Sequence, residues 1–66
     1  MAVGTLSNRE LEVLGYLARG EMLVEIAEKL HVSNKSVSTY KRRIMTKLGL
    51  SKTLDLIDFA KRNNLS

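Results

Sequence analysis

The chain has 66 residues, no cysteine and one histidine, so a disulfide framework and a cysteine-based structural zinc are excluded and a histidine-rich metal site lacks ligands. One domain at most fits this length, and a chain so short buries so little of its surface that a small helical bundle is the simplest stable form. The formal net charge of +4 has an address: residues 1–30 carry three basic and five acidic side chains, residues 31–53 carry six lysines or arginines and no acid, and residues 54–66 hold two of each. A positive field focused in this way predicts an anionic partner whose binding weakens with salt.

Residues 1–6 show no periodicity, and Gly4 makes them read as a loosely attached segment, either a linker end or a cloning remnant. The domain proper is read as residues 7–66. Ser7-Asn8-Arg9-Glu10 has the form of a capping box, which predicts that a first helix begins here. Leu11, Leu14, Leu17 and Ala18 share one face of it, Val13 broadens that face, and Glu10, Glu12 and Arg19 are expected to stay wet. Gly20 supplies the left-handed residue that ends the helix.

A second helix is predicted from about Met22 to Leu30, with Ile26, Ala27 and Leu30 turned inward and Glu25 and Lys29 spaced for an i,i+4 pair. His31-Val32-Ser33-Asn34 is a short turn in which Ser33 or Asn34 caps the next helix. That third helix spans about 34–48 and is the stretch on which function rests. Val37, Ile44 and Leu48 recur on its dry side, with Tyr40 at their margin. Lys35, Thr39, Arg42 and Thr46 form the opposite stripe, flanked by Ser38 and Arg43, so the outward surface joins hydrogen-bonding groups to positive charge. Such a helix suits the major groove of duplex DNA, where short side chains allow close approach and an arginine reaches base edges. Two helices joined this tightly over about 22–48 outline a helix-turn-helix. Gly49 ends the third helix, and Ser51 is the expected cap of a fourth that begins at Lys52 or Thr53. Leu54, Ile57, Phe59 and Ala60 give that helix its apolar content, Leu56 reads as surplus to one core contact, and residues 61–66 extend and fray it.

The residues Leu6-Ser7-Asn8-Arg9-Glu10, Gly20, Glu25-Ile26-Ala27, Leu30, Val32-Ser33, Val37, Lys47-Leu48 and Leu50 resemble, in order, the LuxR/NarL/FixJ type of DNA-binding domain. The likeness spans Leu6 to Leu65, and the string from Ser33 to Lys41 is similar to response regulators of the BvgA/EvgA kind. The resemblance implies an all-α, compact four-helix domain that contains a helix-turn-helix and regulates transcription by sequence-specific binding to double-stranded DNA, with inverted-repeat half-sites. It implies base-edge or major-groove contacts from Ser38, Thr39 and Arg42, and backbone contacts from Lys35, Ser36, Tyr40, Lys41 and Lys47. Arg43 is open to either role. A weak or DNA-assisted homodimer through the fourth helix, at Leu54, Asp55 and Asp58, is a further implication, as is an N-terminal receiver domain in the full-length protein of which this chain is the effector part. One departure stands out: Met22-Leu23-Val24 occupies the place where members commonly carry a small polar cap. That puts a phosphate contact from this helix end in doubt and creates an apolar surface.

Enzymatic activity is not expected. His31 stands without a cysteine nucleophile or a serine–carboxylate pattern, and there is no glycine-rich phosphate loop. No cofactor or metal is implied. No apolar run nears the roughly 20 residues of a membrane span, and the first residues lack the features of a secretory signal, so the expected location is cytoplasmic. The rival reading is a protein-interaction module in which the Leu23-Val24 surface or the fourth helix binds a receiver or another acidic regulator. A nonspecific RNA binder is weaker still, since the aromatics number only Tyr16, Tyr40 and Phe59.

Overall fold

The computed structural model describes residues 5–63, which form four helices: α1 (Asn8–Ala18), α2 (Leu23–Leu30), α3 (Asn34–Leu48) and α4 (Thr53–Arg62). This is the compact all-α, four-helix architecture expected of a helix-turn-helix domain, with α2 and α3 as the pair. α1 is the hub: it packs against both α3 and α4, while α2 packs against α3. Val13, Leu14, Ile26, Val37, Ile44 and Leu56 are fully enclosed, at least one from each helix. Burying an aliphatic side chain of this size contributes roughly 1.5–3 kcal/mol, so these six dominate the cohesion of so small a body. No helix among the described residues is long and apolar enough to cross a membrane.

Local chemistry explains where each helix starts and stops. At α1 the capping box closes in both directions: Ser7 Oγ accepts from the Glu10 amide at 3.1 Å and Glu10 Oε1 accepts from the Ser7 amide at 2.8 Å. Ser33, rather than Asn34, caps α3, its hydroxyl accepting from the Ser36 amide at 3.1 Å. α1, α2 and α3 all finish on a left-handed residue with the same pair of return bonds. At Gly20 (φ 83°) the amides of Gly20 and Glu21 reach the carbonyls of Leu17 and Tyr16; at Gly49 (φ 68°) those of Gly49 and Leu50 reach Thr46 and Met45. His31 plays the same part at φ 58° without being a glycine, the amides of His31 and Val32 bonding Glu28 and Ala27.

Several expectations need correction. Of the segment 1–6, residues 1–4 lie outside the described residues, but Leu6 is buried in the core rather than loosely attached, because it packs with the α1 cluster. Glu10 is buried instead of wet, and Leu56 is a core anchor instead of a surplus leucine; the surplus residue is Leu54, 74% exposed. α2 begins at Leu23, with Met22 as a cap that offers no acceptor; the compensation is one-sided, Glu25 Oε1 accepting from the Met22 amide at 2.8 Å. Spent there, Glu25 does not pair with Lys29. Lys29 instead reaches Glu21 at 2.6 Å, and with Arg19 it flanks the Tyr16 ring, at 5.1 and 4.7 Å from its centre. Tyr16 and Glu21 thereby clasp the end of α1 to α2. Lys52, not Ser51, stands at the start of α4. The helix ends at Arg62; of the tail thought to extend it, residues 64–66 lie outside the described residues.

Candidate nucleic-acid interface

α3 contains no acidic residue, and its dry side is anchored by Val37 and Ile44, both fully buried. With those two turned inward, the spacing of the helix turns Lys35, Ser38, Arg42, Arg43 and Thr46 to solvent, while Ser36, Thr39, Tyr40 and Lys41 lie half-buried along its flanks. The side chains of Lys35, Ser38, Lys41, Arg42 and Arg43 make no hydrogen bond or ion pair among the described residues. Four cations on one helix therefore lack an internal counter-charge, and the field they project is neutralised only by solvent ions or by a bound polyanion.

Hydroxyl groups on this face are already partly committed. Thr39 Oγ1 donates to the Lys35 carbonyl at 3.0 Å, and the Ser36 and Ser33 hydroxyls lie 3.0 Å apart. Ser38 and Thr46 are the solvent-facing hydroxyls left to find a partner outside the chain. Along the N-terminal half of α3 runs an open depression of about 300 Å³ lined by Ser33, Lys35, Ser36, Thr39, Tyr40 and Arg43. Lys35 and Arg43 bring positive charge to it and the remaining four residues bring hydroxyls, the donor set that phosphate oxygens accept from. Tyr40 is partly buried against the core and also lines the depression, as suits a side chain with an apolar body and a polar tip. The residues named from sequence for base and backbone contact thus fall on one continuous surface, with one exception.

That exception is Lys47. Its ammonium lies 2.8 Å from Glu10 Oε1 and 3.1 Å from the carbonyl of Thr5, so it is turned toward α1 and the residues that lead into it. The Lys47 ammonium, together with the Ser7 amide, holds the Glu10 carboxyl below its ordinary value despite its burial. No local pattern announces this pairing, because the partners stand 37 positions apart. A cap glutamate followed by a face as apolar as Leu11-Val13-Leu14 was the one available sign that Glu10 faces the interior.

On α4, Leu54, Asp55 and Asp58 are all exposed, and Leu50, Asp55, Asp58, Phe59 and Arg62 line a second depression of about 200 Å³. Met22 and Val24, 67% and 48% exposed, form the other apolar surface, at the start of α2. Among the described residues no three His, Asp or Glu side chains gather to hold a metal ion.

Comparison with known proteins concerns the chain as a whole. The family described as bacterial regulatory proteins, luxR family, matches residues 4–60. Among curated relatives, the positive transcription regulator of virulence factors BvgA of Bordetella pertussis is 52% identical over 64 residues, covering 97% of this chain and 31% of its own length. The Fimbriae Z protein of Salmonella typhimurium is 53% identical over 60 residues, 91% of this chain and 29% of the relative. The DNA-binding transcriptional activator EvgA of Escherichia coli K12 is 46% identical over 61 residues, 92% and 30% respectively. The chain thus spans about a third of the length of the curated relatives it matches.

Proposed function

The chain belongs to the luxR family of bacterial regulatory proteins, helix-turn-helix domains that act in DNA binding and transcription regulation and not as enzymes, and from that premise we propose that it is the sequence-specific DNA-binding effector domain of a two-component response regulator. One observation carries the reading: α3 presents four unpaired cations and the partnerless Ser38 hydroxyl on a helix fixed to the core by Val37 and Ile44. In this reading α3 lies in the major groove. Ser38, Thr39 and Arg42 meet base edges, Lys35, Ser36, Tyr40 and Lys41 hold the phosphate backbone, and Arg43 serves whichever of the two it faces. Thr39 meets the groove with its hydroxyl proton already given to Lys35, so it is the oxygen lone pairs and the methyl group that it offers a base.

Two copies would bind inverted half-sites as a weak pair assisted by DNA, through Leu54, Asp55 and Asp58. The exposure of Leu54 supports that arrangement. A receiver domain preceding the chain in the full-length protein, and a cytoplasmic location where duplex DNA is found, belong to the same proposal. The deciding experiment is selection from a pool of random duplexes. Recovery of one inverted-repeat motif is expected; equal affinity for selected and scrambled duplexes would overturn sequence specificity. A second reading, docking to another protein, draws on Met22 and Val24, which lie exposed where a polar cap would serve DNA better. Replacing both by serine leaves duplex affinity unchanged in that reading.

A further inference from the structure

Glu10 carries a formal charge in the core, and a carboxylate taken from water is tolerated only when paired and hydrogen-bonded. Glu10 has two partners, one of which is itself tied to a third group. The Ser7 amide donates from the cap of α1, the Lys47 ammonium comes from the last turn of α3, and that same ammonium donates to the carbonyl of Thr5. The Glu10 side chain is 4% exposed and that of Lys47 38%, so one end of the pair is enclosed and the other faces water. Val37 and Ile44, with Tyr40, Met45 and Leu48 packed beside them, hold α3 by apolar contact, which fixes depth but leaves rotation and slip resisted only by shape. An ion pair at the far end, between groups on two different helices, adds the directional constraint that apolar packing lacks.

We infer that the Glu10–Lys47 pair is the joint that sets the orientation of the recognition helix on α1, and that Lys47 acts on DNA through this joint as a positioning residue and not by touching phosphate. The inference rests on the DNA-binding reading for its consequence and on the structure alone for the joint. Two of the ammonium's three N–H groups are committed to Glu10 and to the Thr5 carbonyl, and its charge is balanced by the buried carboxylate, so Lys47 has less to offer a phosphate than the four cations of α3 that lack an internal partner. The two roles leave different marks on the salt dependence of binding. A lysine that touches phosphate changes the salt dependence of binding by about one counterion, whereas a lysine that orients a helix changes affinity and base preference with the slope intact.

The experiment compares wild type, Lys47→Met, Glu10→Gln, the double variant and Lys47→Arg, with Lys41→Ala as the phosphate control. Each is titrated with a selected duplex over a range of salt, well below its melting temperature as shown by circular dichroism. Lys47→Met and Glu10→Gln are expected to lower affinity by similar factors, about three- to tenfold, the size of coupling usual between directly contacting residues. The double variant should lose no more than the weaker single, Lys47→Arg should recover most of the affinity, and only Lys41→Ala should reduce the salt slope by about one unit. A slope that drops in Lys47→Met while Glu10→Gln binds normally would overturn the inference, as would additive losses or unchanged affinity in both. Thermal melts of the same cycle without DNA judge the joint independently: non-additive shifts are expected, and additive ones would refute it. A wild-type chain that prefers no duplex would instead defeat the functional reading, whatever the melts show.

Discussion

Arg42 is exposed on α3, without an internal partner, one helical turn from Ser38 and beside Arg43. A guanidinium in that position can grip a base edge with two parallel hydrogen bonds, a geometry worth roughly 1–3 kcal/mol of discrimination against the wrong base. Arg42→Ala is therefore expected to flatten the preference at one position of the selected site, whereas Lys41→Ala weakens selected and unrelated duplexes alike; competition binding against single-base variants separates them. Unaltered preference in Arg42→Ala would remove its base-reading role. His31 matters in a different way. It is the one described non-glycine residue with positive φ, and a Cβ in the left-handed region costs roughly 1–2 kcal/mol. His31→Gly relieves that strain while adding some freedom to the unfolded chain, so a net gain of about 0.5–1 kcal/mol is expected. In a domain of this size that is a rise of a few degrees in Tm, read by thermal melting, with DNA affinity unchanged.

At the scale of helices, α1 determines how the reader is held. Tyr16 and Glu21 clasp α2 through Arg19 and Lys29, and Glu10 holds the end of α3 through Lys47. The second contact makes stability depend on pH in a defined direction. The folded-state value of Glu10 lies below its ordinary 4.5, the Lys47 ammonium being the first cause and the Ser7 amide the next. A carboxylate so depressed contributes stability that is complete above the unfolded value and is lost as pH falls through the folded one. Melting temperature should accordingly fall as pH drops below about 5, and Glu10→Gln should flatten that limb while lowering the plateau at neutral pH. Lys47→Met should cost on the order of 1–2 kcal/mol at neutral pH, less than the roughly 3–5 of a fully buried pair, since the ammonium is partly in water. An acid limb identical in wild type and Glu10→Gln would show that other carboxylates control it.

Taken whole, the molecule carries two features with no internal partner, the cations of α3 and the exposed Leu54 of α4. α4 is only 10 residues long, and Leu56 and Ala60 are buried inward, which leaves an outward surface short of the roughly 800 Å² per partner typical of a stable dimer. Free domain is expected to sediment as a monomer or weak dimer, and as a two-fold pair on a duplex with two half-sites, where tethering raises the effective concentration. Leu54→Ser should abolish the cooperative step and leave single-half-site affinity unchanged. Analytical ultracentrifugation with one- and two-half-site duplexes checks this, and a tight dimer without DNA would contradict it.

Much of this was legible in the residues alone, and the division follows the range of the forces. Helix starts at Ser7 and Ser33, stops at Gly20 and Gly49, and the dry stripe of Val37 and Ile44 depend on neighbours within about one or two turns, so order and spacing along the chain are enough to read them. The basic face of α3 is legible for the same reason, once its back is known to be dry. What the linear order left undecided is which of two similar residues faces inward across a gap. Leu56 and not Leu54 meets α1, Glu21 and not Glu25 receives Lys29, and Glu10 turns to Lys47. Each of these choices is made by the relative placement of whole helices. A lysine with two candidate carboxylates, as Lys29 has in Glu21 and Glu25, takes the one that the packing of the helices brings closer, which periodicity does not encode and the packed core does.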